Sequence, residues 1–445
     1  MEFKKIIELI RENRFIEAQK LLQEENPVDI AQLLEELDSE TMLIIFRILP
    51  KEVASDVFSY LSTDDVKYLI ESMNDEELKN IIDKLFLDDT VDILEELPAS
   101  VVKKVLKNTK EGKRKLINTF LSYPENSAGS IMTIEYMDLR KEMTIKEAVN
   151  HIKNTGVNKE TIDICYVTND NKKLEGVLSI RELILNDDNE LLQNIMNDNV
   201  IYCNTLEDQE EVADRFKKYD FTSMPVVDNE NRLVGIITID DIVDIIEQEN
   251  TEDFQKMAAM EPSEEEYLKT SVFSLAKHRI IWLLVLMISA TFTGAIIQKY
   301  EDVLQSVVIL ASFIPMLMDT GGNAGSQAST LVIRGLALGD IEIKDILKVV
   351  WKELRVSIIV GSVLALVNFL RIYYLQKIEL AVSITVCITL FFTVIIAKVV
   401  GCILPICAKK LKMDPAIMAS PLITTIVDAL ALVIYFGAAS ILLGI

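Results

Sequence analysis

Asp319-Thr320-Gly321-Gly322-Asn323-Ala324-Gly325-Ser326-Gln327 decides how the second half of this chain must be built. The run lies inside an otherwise apolar stretch, 303–333, longer than the ~20 residues a bilayer helix needs. Polar, glycine-rich backbone is tolerated at membrane depth only where it is buried in protein or lines water. Two compatible readings follow. Gly321, Gly322, Ala324 and Gly325 let helices approach closely, and the polar members face a wet pathway. A phosphate-binding loop is excluded, because no lysine follows the glycines.

Outward from this run, four further apolar stretches, 280–298, 354–374, 380–408 and 415–443, are each long enough to span. The last contains Thr424-Thr425-Ile426-Val427-Asp428. An aspartate at a helix centre costs about 2.5–3.5 kcal/mol on insertion scales, so Asp428 either faces a wet cavity or pathway, the default, or is protonated and bonded to a neighbouring helix. With the N-terminus in the cytosol, Arg334, Lys344, Lys348, Lys352, Lys409, Lys410 and Lys412 fall in inner loops, against Lys299, Arg371 and Lys377 outside. That bias predicts five spans with the C-terminus outside.

The chain has 445 residues with 69 acidic and 45 basic side chains, a formal net charge of -24. The charge is divided: residues 1–276 carry 59 acidic and 31 basic groups, and 277–445 carry 10 and 14. The acidic part repels phosphate and attracts cations, which excludes a nucleic-acid partner. Five cysteines without a Cys-x-x-Cys pair, and two distant histidines, His151 and His278, argue against a zinc site. Met1 to Leu22 is a charged amphipathic segment and no signal peptide. No nucleophile-base pair, hydrolase motif or Walker sequence is present, so no enzymatic activity is expected.

Residues 1–125 carry an internal repeat. Leu49-Pro50, Met73-Asn74 and Leu97-Pro98 recur every 24 residues, with Leu37-Asp38, Leu61-Ser62 and Leu85-Phe86 between them. A boundary every 12 residues predicts short helices that bury apolar stripes on one another as a small solenoid. Residues 126–248 predict a duplicated α+β unit. Ile164-Cys165-Tyr166-Val167 and a Gly176-containing strand are matched by Met224-Pro225-Val226-Val227 and a Gly235-containing strand, 59 residues on. This resembles a tandem pair of CBS domains, an adenosyl-ligand and dimerisation module. A polar connecting helix is expected over 249–276, and the membrane domain over 277–445.

Taken together, these segments, with the order from Pro315 to Asn323, Thr251-Glu252-Asp253 in the linker and Pro421 to Asp428, resemble the MgtE family of magnesium channels. The resemblance implies a multi-domain membrane protein: an all-α helical-repeat N domain, an α+β CBS pair, a linking (plug) helix and an α-helical transmembrane domain of five spans. It implies a homodimer in the cell membrane, with one Mg2+ pore at the two-fold axis. Asp428, as the pore metal ligand, with Asn323, Thr425 and backbone near Gly322 and Ala419, would handle a hydrated ion. Cytosolic Mg2+ would close the pore by binding acidic sites among Asp88, Asp89, Asp220, Asp240, Asp241, Asp244, Glu247, Glu252 and Asp253. Whether ATP or another adenine nucleotide occupies the CBS pair stays open, as does the role of Asp319, in the ion path or capping a helix break. Two rivals are a cation-coupled secondary transporter for divalent metals, with Asp428 as coupling carboxylate, and a membrane-anchored nucleotide sensor.

Overall fold

The computed structural model describes residues 2–263, 267–268, 270–418 and 420–444. Contacts divide the chain into two units, Met1–Ile246 and Glu247–Ile445.

The first unit begins with short helices, α1 (Glu2–Arg11), α2 (Phe15–Leu22), α3 (Pro27–Glu35), α4 (Ser39–Ile48), α5 (Lys51–Ser59), α6 (Thr63–Ser72), α7 (Asp75–Ile82), α8 (Leu87–Glu96), α9 (Ala99–Asn108) and α10 (Glu111–Phe120). The boundaries predicted from the repeat are helix N-caps: Asp38, Pro50, Ser62, Asn74, Phe86 and Pro98. Each works locally. Asn74 forms a capping box with Glu77, and the Asp38 carboxylate accepts from the Thr41 N–H. Proline at the cap ends one helix and pre-sets the next. No helix of this length is stable alone, so each relies on buried side chains such as Phe58, Leu69 and Val91. Burying such a side chain contributes about 1.5–3 kcal/mol. Lysines on later helices satisfy the carbonyls that earlier helix ends leave orphaned. Lys104 Nζ donates to Ile70 O (2.6 Å) and Met73 O (2.9 Å), and Lys113 Nζ to Ile82 O (2.7 Å) and Leu85 O (2.6 Å).

The duplicated segment follows. Its first copy comprises β1 (Asp138–Leu139), α11 (Ile145–Thr155), β2 (Ile164–Thr168), β3 (Leu174–Ser179), α12 (Ile180–Leu185) and α13 (Leu192–Ile195). The second comprises β4 (Cys203–Asn204), α14 (Gln209–Tyr219), β5 (Ser223–Val227), β6 (Leu233–Thr238) and α15 (Ile239–Met257). Each copy forms a three-stranded sheet, β1-β2-β3 and β4-β5-β6, with the first pair parallel and the second antiparallel. The copies meet through a buried Tyr166 to Ser223 hydroxyl bond of 2.8 Å. Gly235 lets the segment before β1 pair closely with β6, since a Cβ there would lie 2.7 Å from Thr133 O. The polar linker is helical to Met257 as the continuation of α15, and left-handed Ala259 and Pro262 lie beyond that end.

The second unit contains α16 (Val272–Lys299), α17 (Glu301–Ser306), α18 (Ile314–Ala337), α19 (Ile346–Leu370), α20 (Leu380–Lys410) and α21 (Ser420–Leu443). Among the described residues, four segments are long and apolar enough to cross a membrane: Val272–Lys299, Ile343–Leu375, Leu380–Lys410 and Pro415–Leu443. The second predicted stretch is not among them. It is divided into α17, a 3-10 turn over Val308–Phe313 and α18, and α18 carries the polar run that lowers its apolar character. The run itself is unbroken helix, so Asp319 does not cap a helix break.

Candidate functional site

The glycines of α18 form its packing face. A Cβ on Gly321 would lie 2.8 Å from Thr393 Cγ2 and 2.9 Å from Val427 Cγ1, and one on Gly322 2.8 Å from Thr424 Cγ2. Gly325 is held equally closely, 2.7 Å from Ile423 Cγ2. Opposite Gly325, α20 comes so near that a Cβ on Gly401 would stand 2.3 Å from the Gly325 carbonyl oxygen. Small residues thus bring α18, α20 and α21 together, which is the packing reading of the run. These contacts also set the register: residue 321 of α18 is level with 427 of α21, and 325 with 423.

The other face of α18 is polar and uncovered. Asp319, Asn323, Gln327 and Thr330 are exposed at helical spacing of four, four and three residues. Asp428 is half-buried on α21 at the level of Asp319, and the two carboxylates repel one another. Thr425 lies one turn earlier, its hydroxyl donating to Pro421 O at 3.0 Å while its lone pairs stay available. The structure therefore brings Asp428, Thr425 and Asn323 to neighbouring elements and places Gly322 against Thr424. Ala419 lies outside the described residues. Asp319 joins this group at a position sequence reasoning left unassigned.

The acidic residues of the first unit gather where α8 meets the start of α15. Asp88 is buried, 7% exposed, and its Oδ1 accepts no hydrogen bond. Burial, then repulsion from Asp89, Asp241 and Glu160, pushes its carboxyl well above the usual range. Burial also pushes Asp89 to about 6, opposed by the Lys113 ammonium, and Asp241 to about 6, opposed by a hydrogen bond from the Thr238 hydroxyl. Glu160, which sequence reasoning missed, is pushed to about 7 by burial and by Asp240, and its Oε2 is also unpartnered. Asp240 is exposed beside them. Asp220 stands apart as the left-handed C-cap of α14, and Asp244 and Glu247 lie further along α15.

In the second unit, Glu252 and Asp253 meet the turn before α21. Lys256 Nζ donates to Asp414 Oδ2 at 2.6 Å and pairs with Glu252. Burial and the nearby Asp414 raise Asp253. Asp414 was also missed, although an acid after Lys409, Lys410 and Lys412 in a short loop is a visible signal. Among the described residues no three histidine, cysteine, aspartate or glutamate side chains converge tightly enough to ligate one metal ion. Crowded carboxylates with orphaned oxygens instead suit a cation that keeps much of its water, as Mg2+ does.

Known proteins carry the same parts in the same order. Residues 314–438 match a divalent cation transporter family, 25–126 the MgtE intracellular N domain, and 128–187 and 192–248 CBS domains. The chain is 39% identical over 354 residues to the magnesium transporter MgtE of Bacillus subtilis, covering 79% of this chain and 78% of that one. It is 37% identical over 364 residues to the magnesium transporter MgtE of Thermus thermophilus, covering 80% of each. The crystal structure of the cytosolic domain of the Mg2+ channel MgtE in complex with ATP is similar at 34% identity and a TM-score of 0.53. It spans 55% of this chain and 99% of that domain. With these relatives matching across both soluble and membrane parts, the chain belongs to the MgtE family of magnesium transporters, multi-pass membrane proteins and not enzymes.

Proposed function

We propose that the protein is a homodimeric channel for Mg2+ influx, closed by cytosolic Mg2+. The observation that carries this reading is the exposed stripe of Asp319, Asn323, Gln327 and Thr330 on α18, level with Asp428, within a bundle of apolar helices. Such a stripe cannot face hydrocarbon. A second copy placed across it would enclose a polar path, with α18 as a fifth span and the two Asp428 carboxylates facing across the axis. Hydrated Mg2+ would be attracted by Asp428 and hydrogen-bonded through its waters by Asn323, Thr425 and nearby backbone. Exposed apolar residues at equivalent places in the two CBS copies, Ile184 on α12 and Val243 on α15, support the dimer.

Two acidic groups would sense internal Mg2+: Asp88, Asp89, Asp240, Asp241 and Glu160 in the first unit, and Glu252, Asp253 and Asp414 in the second. Mg2+ bound only in the closed arrangement shifts the equilibrium by RT ln(1 + [Mg]/Kd) per site, so several weak sites act together as a steep switch. Asp244 and Glu247 extend the acidic surface along α15, and Asp220 would tune it from α14. An adenine nucleotide is a reasonable ligand for the CBS pair, given the ATP complex of the related domain. The remaining assignments are a domain division at 125, 248 and 276, a cytosolic N-terminus and an external C-terminus.

The test is Mg2+ influx into liposomes holding the full chain. Asp428→Ala should abolish influx while the protein stays folded and dimeric, and Asp428→Glu should keep part of it. Influx that persists unchanged in the alanine variant defeats the pore assignment. Influx that requires a second ion gradient makes the protein a coupled transporter.

A further inference from the structure

Among the described residues, the membrane bundle contains a buried pair of opposite charges away from the transport path. Lys398 on α20 and Glu353 on α19 have side chains only 6% and 12% exposed, with Nζ and Oε2 3.8 Å apart. That is beyond hydrogen-bond range. Glu353 Oε2 accepts no hydrogen bond, and Glu353 is the partner described for Lys398. Stability does not explain such a pair. Replacing a buried ion pair by apolar side chains is commonly neutral or stabilising, whereas leaving one charge unpaired is costly.

Its position offers another explanation. Lys398 follows Ala397, whose carbonyl oxygen is 3.2 Å from where a Gly325 Cβ would be, and Gly401 touches the Gly325 backbone one turn later. The charge therefore sits one helix behind the polar face of α18, roughly 10–15 Å away at ordinary helix spacing. The intervening material is packed protein, so screening by salt is weak. Resting on the reading that ions pass along that face, we propose that Glu353 is a specificity-determining residue. It cancels the Lys398 charge and so keeps the path attractive to a divalent cation. Coulomb energy is proportional to ion charge, so an unbalanced ammonium repels Mg2+ twice as strongly in energy as a monovalent ion.

The experiment measures Mg2+ influx into liposomes against external Mg2+ for the full-length wild type, Glu353→Gln, Glu353→Met and the double variant Glu353→Gln/Lys398→Met. Two neutralising side chains are used because they place different demands on folding, which size-exclusion chromatography monitors. Leaving Lys398 unbalanced should raise the half-saturating Mg2+ concentration on the order of tenfold or more. The double variant, which carries no charge there, should return it to the wild-type value. A pair that only locks α19 to α20 would lower maximal flux without moving half-saturation, and the double variant would be no better than the single. Either of those results overturns the proposal. Asp428→Ala in the same assay tests the path separately, since unchanged influx there refutes the path and not the charge balance.

Discussion

Gly401→Ala is the most incisive perturbation of the membrane bundle, because its clash is with backbone. The added Cβ would lie 2.3 Å from Gly325 O, 3.0 Å from its carbonyl carbon and 3.1 Å from its Cα. Restoring ordinary contact requires α18 and α20 to separate by about 1 Å. Overpacking of this kind costs about 1–3 kcal/mol, offset by up to ~1 kcal/mol for alanine's higher helix propensity. A net loss of about 1–2 kcal/mol lowers the melting temperature by roughly 2–8 °C for a domain of this size. Gly294→Ala on α16, with nothing within 4 Å, supplies the control and should be neutral or slightly stabilising. The assay is thermal unfolding of detergent-purified protein, followed by influx in liposomes. Because α18 carries Asn323, the shift should reduce flux as well as stability. A Gly401→Ala protein as stable and active as the Gly294→Ala control would refute the close helix approach.

Gly322→Val should block flux by pushing α21 away at Thr424, while Asn323→Ala should lower flux or selectivity with no loss of stability. Influx assays paired with melting curves separate these outcomes. Acidification should weaken Mg2+ sensing. Raised carboxylates hold protons in the folded arrangement that they lose in the unfolded chain, so their protonation stabilises it at low pH, and this contribution fades as pH rises through their folded pKa values. Mg2+ replaces those protons. Between pH 8 and pH 6 the Mg2+ needed to protect the full chain from protease should rise about tenfold through Glu160, at about 7, and about twofold through Asp89 or Asp241, at about 6. A requirement independent of pH contradicts the role of these groups. Lys113→Met leaves the carbonyls of Ile82 and Leu85 without their donor, and should destabilise the first unit by about 1–3 kcal/mol, measured by thermal unfolding.

The solenoid was legible because a proline, asparagine, serine or aspartate stands at five of the six boundaries from 38 to 98, and the 12-residue spacing alone supplies the sixth, Phe86. The CBS duplication was legible for the same reason, with strand, turn and capping residue repeating at 59 residues. Asp428 was legible because a lone acid in an apolar span is conspicuous. Glu160 was not, since it becomes part of an acidic group only when distant segments are packed together, and although Asp414 stands out beside three lysines, its pairing with Lys256 depends on the same kind of packing. The pairing of Lys398 with Glu353 was likewise invisible, because 45 residues and a turn separate two charges that share one helix interface. The break between α17 and α18 was hidden because the residues at it, Val307 to Phe313, are mostly apolar and suit a continuous helix and a turn equally.

Closure of a Mg2+ path by the acidic groups would show in the dependence of influx on internal Mg2+ in liposomes holding the intact chain. Wild type is compared with a variant in which Asp88, Asp89, Asp240 and Asp241 are all changed to asparagine. Wild-type influx should shut off steeply as internal Mg2+ reaches the order of millimolar, and influx should persist in the variant. Identical shut-off in both proteins would contradict closure by these groups.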